Sequence, residues 1–167
     1  MQKMTKDNLE TAFAGESQAH IKYLIFANKA EKEGFANVAR LFRATSYAEQ
    51  VHATSHFRTL KGVGKTADNL GVAIGGETYE VEEMYPAFIA VAKEQAEKAA
   101  VRSNEWAMEA EKVHAALYGR AKSAVEEGND TDIGSVYVCS VCGWTGEGDP
   151  PDECPLCKAK KEKFVTF

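Results

Sequence analysis

The first 138 residues of this 167-residue chain contain no cysteine. No disulfide framework can therefore hold its main body. The four cysteines it does have lie between Cys139 and Cys157 as two C-x-x-C pairs, an arrangement that suits a metal better than a secreted disulfide scaffold. There is no surplus of positive charge: 20 Lys and Arg stand against 25 Asp and Glu, interspersed rather than clustered, for a formal net charge of -5. That balance excludes the basic patch nucleic acids bind, and no nucleic-acid partner is expected. No uncharged stretch approaches the ~20 residues that cross a bilayer, so no membrane span is expected either. The opening Met1-Gln2-Lys3-Met4-Thr5-Lys6-Asp7 lacks an apolar run ending in small residues; no secretory signal is readable, and the expected location is the cytoplasm. The length allows one sizeable core and a small appendage.

What is present is a repeat. Glu49-Gln50-Val51-His52 in the first half and Glu111-Lys112-Val113-His114 in the second are each preceded by a separate glutamate segment. A helix brings positions three apart onto one face, so each pair offers a carboxylate and an imidazole to one metal centre. One such pair arises readily by chance; its repetition carries the argument. Glu16 precedes Glu49 by 33 positions and Glu77 precedes Glu111 by 34. The local wording repeats too, Gly15-Glu16-Ser17 against Gly76-Glu77-Thr78, with Tyr23 and Tyr85 following their glutamates at similar distances.

Helical spacing of Leu9, Phe13, Ala19, Tyr23, Phe26 and Ala30 predicts a helix over residues 7–33, with Asp7 and Glu10 placed as a capping box and Gly34 as its stop. A second helix is predicted over 37–61, closing at Gly62. If these two are antiparallel, Glu16 and the Glu49/His52 pair should be equidistant from the turn, and their midpoint falls at residues 33–34, where Gly34 stands. Residues 66–127 as one helix would be about 90 Å long, too long for this domain, so they must fold back. The same midpoint argument puts that turn near Gln95-Ala96, and Pro86 is a candidate kink. The prediction is an all-α four-helix bundle over residues 1–127, a polar linker over 128–134 and a small β-rich four-cysteine domain over 135–167.

Five glutamates, Glu16, Glu49, Glu77, Glu80 and Glu111, with His52 and His114, would project inward from such a bundle. Ionised carboxylates cannot share a dry core without cations, and hard oxygen donors with two imidazoles suit a redox-active iron pair. Taken singly, each glutamate is as readily a solvated helix face; the set is not. Glu80 is an extra carboxylate one turn beyond Glu77. Tyr23 and Tyr85 are placed either to hydrogen-bond ligating carboxylates or to be ordinary core tyrosines, and His20 and His56 read better as satisfied or exposed histidines than as ligands.

These motifs together resemble the rubrerythrin family over nearly the full length. They are Ala14-Gly15-Glu16-Ser17-Gln18-Ala19, Glu49-x-x-His52, Glu77-Thr78-Tyr79-Glu80 running on to Pro86, Glu111-x-x-His114 and the paired C-x-x-C knuckles. The resemblance implies a ferritin-like bundle followed by a rubredoxin-like domain. It implies two irons held by Glu16, Glu49, Glu77, Glu80, Glu111 and His114, with His52 exchanging against Glu80 as one iron changes oxidation state. Glu80, His52 and Tyr23 are then the residues expected to take part in the chemistry. One further iron is expected at Cys139, Cys142, Cys154 and Cys157, where zinc is an acceptable substitute. The implied activity is reduction of hydrogen peroxide to water, fed by a redox protein such as rubredoxin or its reductase. The implied assembly is a homodimer, with helix pairs exchanged between chains as in some members. The competing readings are a ferroxidase that handles iron, and a zinc-ribbon adaptor whose bundle is only structural.

Overall fold

The computed structural model describes residues 1–167, which divide into two compact units, Met1–Gly64 and Lys65–Phe167. The first unit is a helical hairpin of α1 (Lys3–Lys32) and α2 (Ala36–Thr59). Its cross-helix contacts join Phe13 to Phe57, His20 to Ser46, and Phe26 to Phe42, positions nearly equidistant from Gly34, as the midpoint argument requires. Small residues form the seam: Ala27, Ala30, Ala39, Ser46 and Ala53 are buried, which lets the two backbones approach. Ser46 satisfies its hydroxyl by donating to the His20 carbonyl at 2.8 Å.

The second unit opens with α3 (Thr66–Tyr79), widens into a π-helical turn (Glu80–Met84) and continues as α4 (Tyr85–Glu94). After the turn at Gln95 and Ala96 the chain returns as α5 (Lys98–Glu126). Residues 129–135 have no regular structure. Three strands follow, β1 (Val136–Cys139), β2 (Thr145–Glu147) and β3 (Phe164–Thr166), in an antiparallel sheet of order β2-β1-β3. The small domain packs on α5, where Arg120 pairs with Glu147. Helices followed by a small four-cysteine β-domain are the class expected.

Four helix ends share one device. After α1, α2, α4 and α5, two overlapping hydrogen bonds close the chain on itself: Phe35 to Ala30 and Gly34 to Glu31, Gly62 to Phe57 and Lys61 to Arg58, Glu97 to Ala92 and Ala96 to Lys93, Asn129 to Ala124 and Gly128 to Val125. This is the Schellman arrangement, which needs a left-handed residue. Gly34 and Gly128 supply it, but so do Lys61 (φ 58) and Ala96 (φ 57). The stop expected at Gly62 is thus one residue late. Gly62 has a different task, since a Cβ there would fall 2.4 Å from the Phe57 ring.

The capping box expected at Asp7 and Glu10 is not formed. α1 starts at Lys3, and the two carboxylates lie inside it, paired at i,i+4 with Lys3 (2.6 Å) and Lys6 (3.1 Å). Pro86 sits in the first turn of α4, where its missing N–H costs least. The register shift is absorbed just before it, where the Tyr85 N–H reaches back five residues to the Glu80 carbonyl.

A left-handed alanine is strained where glycine is not. Ala96→Gly should therefore raise stability by about 0.5–1 kcal/mol, read as a higher urea midpoint at unchanged slope. A lowered midpoint would mean the turn is not left-handed at Ala96.

Candidate metal centres

In the first unit α1 presents Glu16 while α2 presents Glu49 and His52 one turn apart. His52 Nδ1 lies 3.0 Å from a Glu49 oxygen and 3.9 Å from a Glu16 oxygen. In the second unit α3 presents Glu77 while α5 presents Glu111 and His114, whose Nδ1 lies 2.5 Å from Glu111 and 3.9 Å from Glu77. The repeat in sequence is thus a repeat in geometry. Within each triad the ligand atoms lie within 4.8 Å of one another. The second triad is the more enclosed, with the His114 side chain 27% exposed against 55% for His52.

Electrostatics of the second triad record what happens when carboxylates gather without a cation. Burial, then the charge of Glu111 and a hydrogen bond to it, then the charge of Glu80, push the Glu77 carboxyl up to about 7. Glu80 is raised by burial and by Glu111, with His114 opposing. Tyr85 is raised by burial and then by Glu80, Glu111 and Glu77, which places its hydroxyl in the field of the same cluster. Glu80 stands beside the triad rather than within it, at the start of the π turn, and with Ala73, Gly76, Glu77 and Glu111 it lines a shallow polar pocket.

The four cysteines converge from two turns of the same design. Gly143 N–H closes the first knuckle on the Cys139 carbonyl at 2.9 Å, and Lys158 N–H closes the second on Cys154 at 3.0 Å. The residue after each knuckle is left-handed, Gly143 at φ 80 and Lys158 at φ 63. Sulfur atoms of Cys139 and Cys157, and of Cys142 and Cys154, are 3.6 Å apart. Four sulfurs at about 2.3 Å from a tetrahedral metal would be separated by about 3.8 Å, close to what is observed. Burial pushes the Cys142 and Cys157 thiols up, so a cation favours their ionisation. Burial also acts against the Cys139 thiolate, but N–H groups of Val141 and Cys142, together with hydrogen bonds from the Cys157 and Cys142 thiols, outweigh it and lower that group.

The donors thus fit two kinds of iron site, carboxylate–imidazole triads for a di-iron centre and four thiolates for a rubredoxin-like one. Tyr23 lies on α1, where its ring packs with Phe26 and Phe42 at centroid distances of 6.4 and 6.1 Å. His20 is satisfied by Ser46, with Nδ1 2.9 Å from both its hydroxyl and its carbonyl. Sequence reasoning missed Thr145, whose hydroxyl lies 2.7 Å from His114 Nε2. A lone threonine after a tryptophan carries no signal of that role.

A family model described as rubrerythrin matches residues 7–122, and one described as the rubredoxin-like domain of rubrerythrin matches residues 137–165. The chain is 42% identical to rubrerythrin-2 of Clostridium acetobutylicum, covering 98% of this chain and 97% of that relative. It is 33% identical to nigerythrin of Nitratidesulfovibrio vulgaris, covering 98% of this chain and 86% of that one. Among solved structures, fully reduced, all-ferrous nigerythrin is similar at a TM-score of 0.55 and 34% identity, over 98% of this chain and 86% of that one.

The raised Glu77 carboxyl sets a pH dependence. Folded, metal-free chain keeps that proton up to about 7, whereas unfolded chain loses it near the ordinary 4.5. The native state therefore binds more protons in that window, and the stabilising contribution, complete below 4.5, is lost as pH rises through about 7. Metal-free protein should show its urea midpoint falling between about pH 5 and about pH 8, and zinc should reverse the slope because a bound ion takes the ionised carboxylate. A metal-free midpoint that rises with pH would contradict this.

Proposed function

The chain belongs to the rubrerythrin family, and on that premise we propose that it reduces hydrogen peroxide to water, with electrons drawn through the four-cysteine site. Family membership makes it an iron-dependent oxidoreductase with a role in oxidative stress. The finer reading rests on one observation: two geometrically matched Glu–Glu–His triads share a chain with a four-thiolate cluster. Redox-inert structural metals would not need both donor types in one protein.

Glu16, Glu49 and His52 are the proposed ligands of one triad, and Glu77, Glu111 and His114 of the other, with Glu80 as the extra carboxylate. When bound, iron supplies the two electrons that, with two protons, convert one peroxide into two waters. Ala73 and Gly76 keep the pocket over Glu77, Glu80 and Glu111 open to a molecule as small as peroxide. Glu80 and His52 act as alternative ligands: an anionic carboxylate suits the more highly charged oxidised state, and neutral imidazole suits the reduced one. Cys139, Cys142, Cys154 and Cys157 bind the relay iron, refilled by a small redox protein such as rubredoxin or its reductase. Residues 1–127 are the catalytic part and 135–167 the relay, joined by 128–134.

A second copy of the chain is the proposed partner. Ile21, Ile25, Leu41, Tyr47 and Val51 are 50–67% exposed on the α1–α2 hairpin, apolar surface that another helix pair would bury. Two chains exchanging helix pairs would cover it.

Two variants separate the catalytic and relay roles. Glu111→Ala should lose triad iron and peroxide turnover together. Cys154→Ser should lose the visible colour of the ferric thiolate centre and donor-driven turnover, yet keep a single turnover once its triads are chemically reduced. Full donor-driven turnover by Cys154→Ser would refute the relay, and full triad iron with full turnover in Glu111→Ala would refute the ligand set.

A further inference from the structure

Thr145, at the start of β2, is buried at 6% exposure and sits against a triad histidine. We propose that Thr145 is the positioning residue for His114, and that the peptide group joining Gly143 to Trp144 links that imidazole to the Cys142 sulfur. This deepens the peroxidase reading and rests on it.

The His114 imidazole presents its two nitrogens to different partners. Its Nδ1 faces the Glu111 and Glu77 carboxylates at 2.5 and 3.9 Å, so Nδ1 is the nitrogen a metal held by those carboxylates would take. A neutral ligating imidazole then carries its proton on Nε2 and needs an acceptor for it. Thr145 Oγ1 is 2.7 Å from Nε2 and 3.1 Å from the Gly143 carbonyl. A carbonyl only accepts, so the hydroxyl donates to Gly143 and its lone pair is left for the Nε2–H. The N–H of that same peptide belongs to Trp144 and donates to the Cys142 sulfur. Every hydrogen bond in the series therefore points one way, from Nε2–H to hydroxyl, from hydroxyl to peptide carbonyl, and from peptide N–H to thiolate. Aligned bonds of this kind polarise one another. Burial of Thr145 keeps water from replacing its hydroxyl.

Two consequences follow. The hydroxyl fixes the tautomer and rotation of His114 with Nδ1 free for metal. The series also provides a short bonded route between the thiolates and the triad of the same chain. Were both clusters to hold iron, the residues of this series would lie between a one-electron donor at the cysteines and a one-electron acceptor at the triad. No atom, and no net proton, has to cross.

The test uses full-length protein loaded with zinc throughout, whose histidine nitrogens are read by 15N NMR. In the wild type, His114 should show metal on Nδ1 and a proton on Nε2; metal on Nε2 would overturn the proposal whatever the variants do. Thr145→Val keeps the shape and removes the hydroxyl, and should weaken zinc at the second triad about 10–100-fold. Thr145→Ser restores the hydroxyl and should recover the affinity. Equal loss in Ser and Val would assign the effect to packing of the methyl group, and no loss in Val would remove the hydroxyl from the account; either overturns it. In iron-loaded protein, peroxide should restore the ferric thiolate colour of the reduced protein more slowly in Thr145→Val than in Thr145→Ser or wild type. Equal rates would exclude the link. A wild type that peroxide does not recolour would instead count against the peroxidase reading, leaving the zinc and NMR result to stand separately.

Discussion

Carboxylates brought close together in a partly dry place repel, and one cation between them removes the problem. Most of this chain is arranged around that constraint. Glu77 is forced up to about 7 by burial and by its neighbours Glu111 and Glu80 when no ion is present. Helices with only their own packing to satisfy would place such groups in water. Instead the glutamates lie on the stripes that also hold the histidines, and the donors of each triad stay within 4.8 Å of one another. Two of the four cysteines, Cys142 and Cys157, obey the same rule with different chemistry, because burial makes their thiols resist ionising.

Building those clusters twice requires helices of controlled length. The Schellman turns after α1, α2, α4 and α5 provide it, since each ends its helix within a residue or two, and those after α1 and α4 send the chain back on itself. A seam of alanines and Ser46 draws α1 and α2 close enough for one glutamate from α1 and a glutamate–histidine pair from α2 to share an ion. The π turn at Glu80–Met84 places the extra carboxylate where a helix changes pitch. Such a turn gives up regular hydrogen bonding, and turns of this type concentrate at functional sites.

Much of this was legible in the sequence because it depends on spacing. The Glu-x-x-His pairs are separated by one helical turn, and antiparallel geometry fixes where a chain must reverse if distant residues are to meet. That reasoning located the turn at Gln95 and Ala96, where no glycine or proline marks it, and the structure has its left-handed residue at Ala96. What was not legible depends on local competition between side chains. The start of α1 at Lys3 reflects i,i+4 pairing of Asp7 and Glu10 with lysines, which a capping pattern does not distinguish. The stop at Lys61 rather than Gly62 reflects the Phe57 ring filling the space beside the glycine. Tyr23 reads equally as a partner for a carboxylate or as core, and the ring contacts with Phe26 and Phe42 are compatible with either. Thr145 acts across a sequence separation of 31 residues through its hydroxyl alone.

The central claim is that both triads and the cysteine cluster are iron sites. Metal analysis of protein produced without oxygen in iron-replete medium, combined with Mössbauer spectroscopy of the same sample, tests it directly. The account predicts iron in oxygen–nitrogen coordination at the triads alongside iron in tetrahedral thiolate coordination, with the two triads filled to the same extent. A folded protein carrying metal at its cysteines alone, with no oxygen-ligated iron at any ferrous concentration, would contradict it.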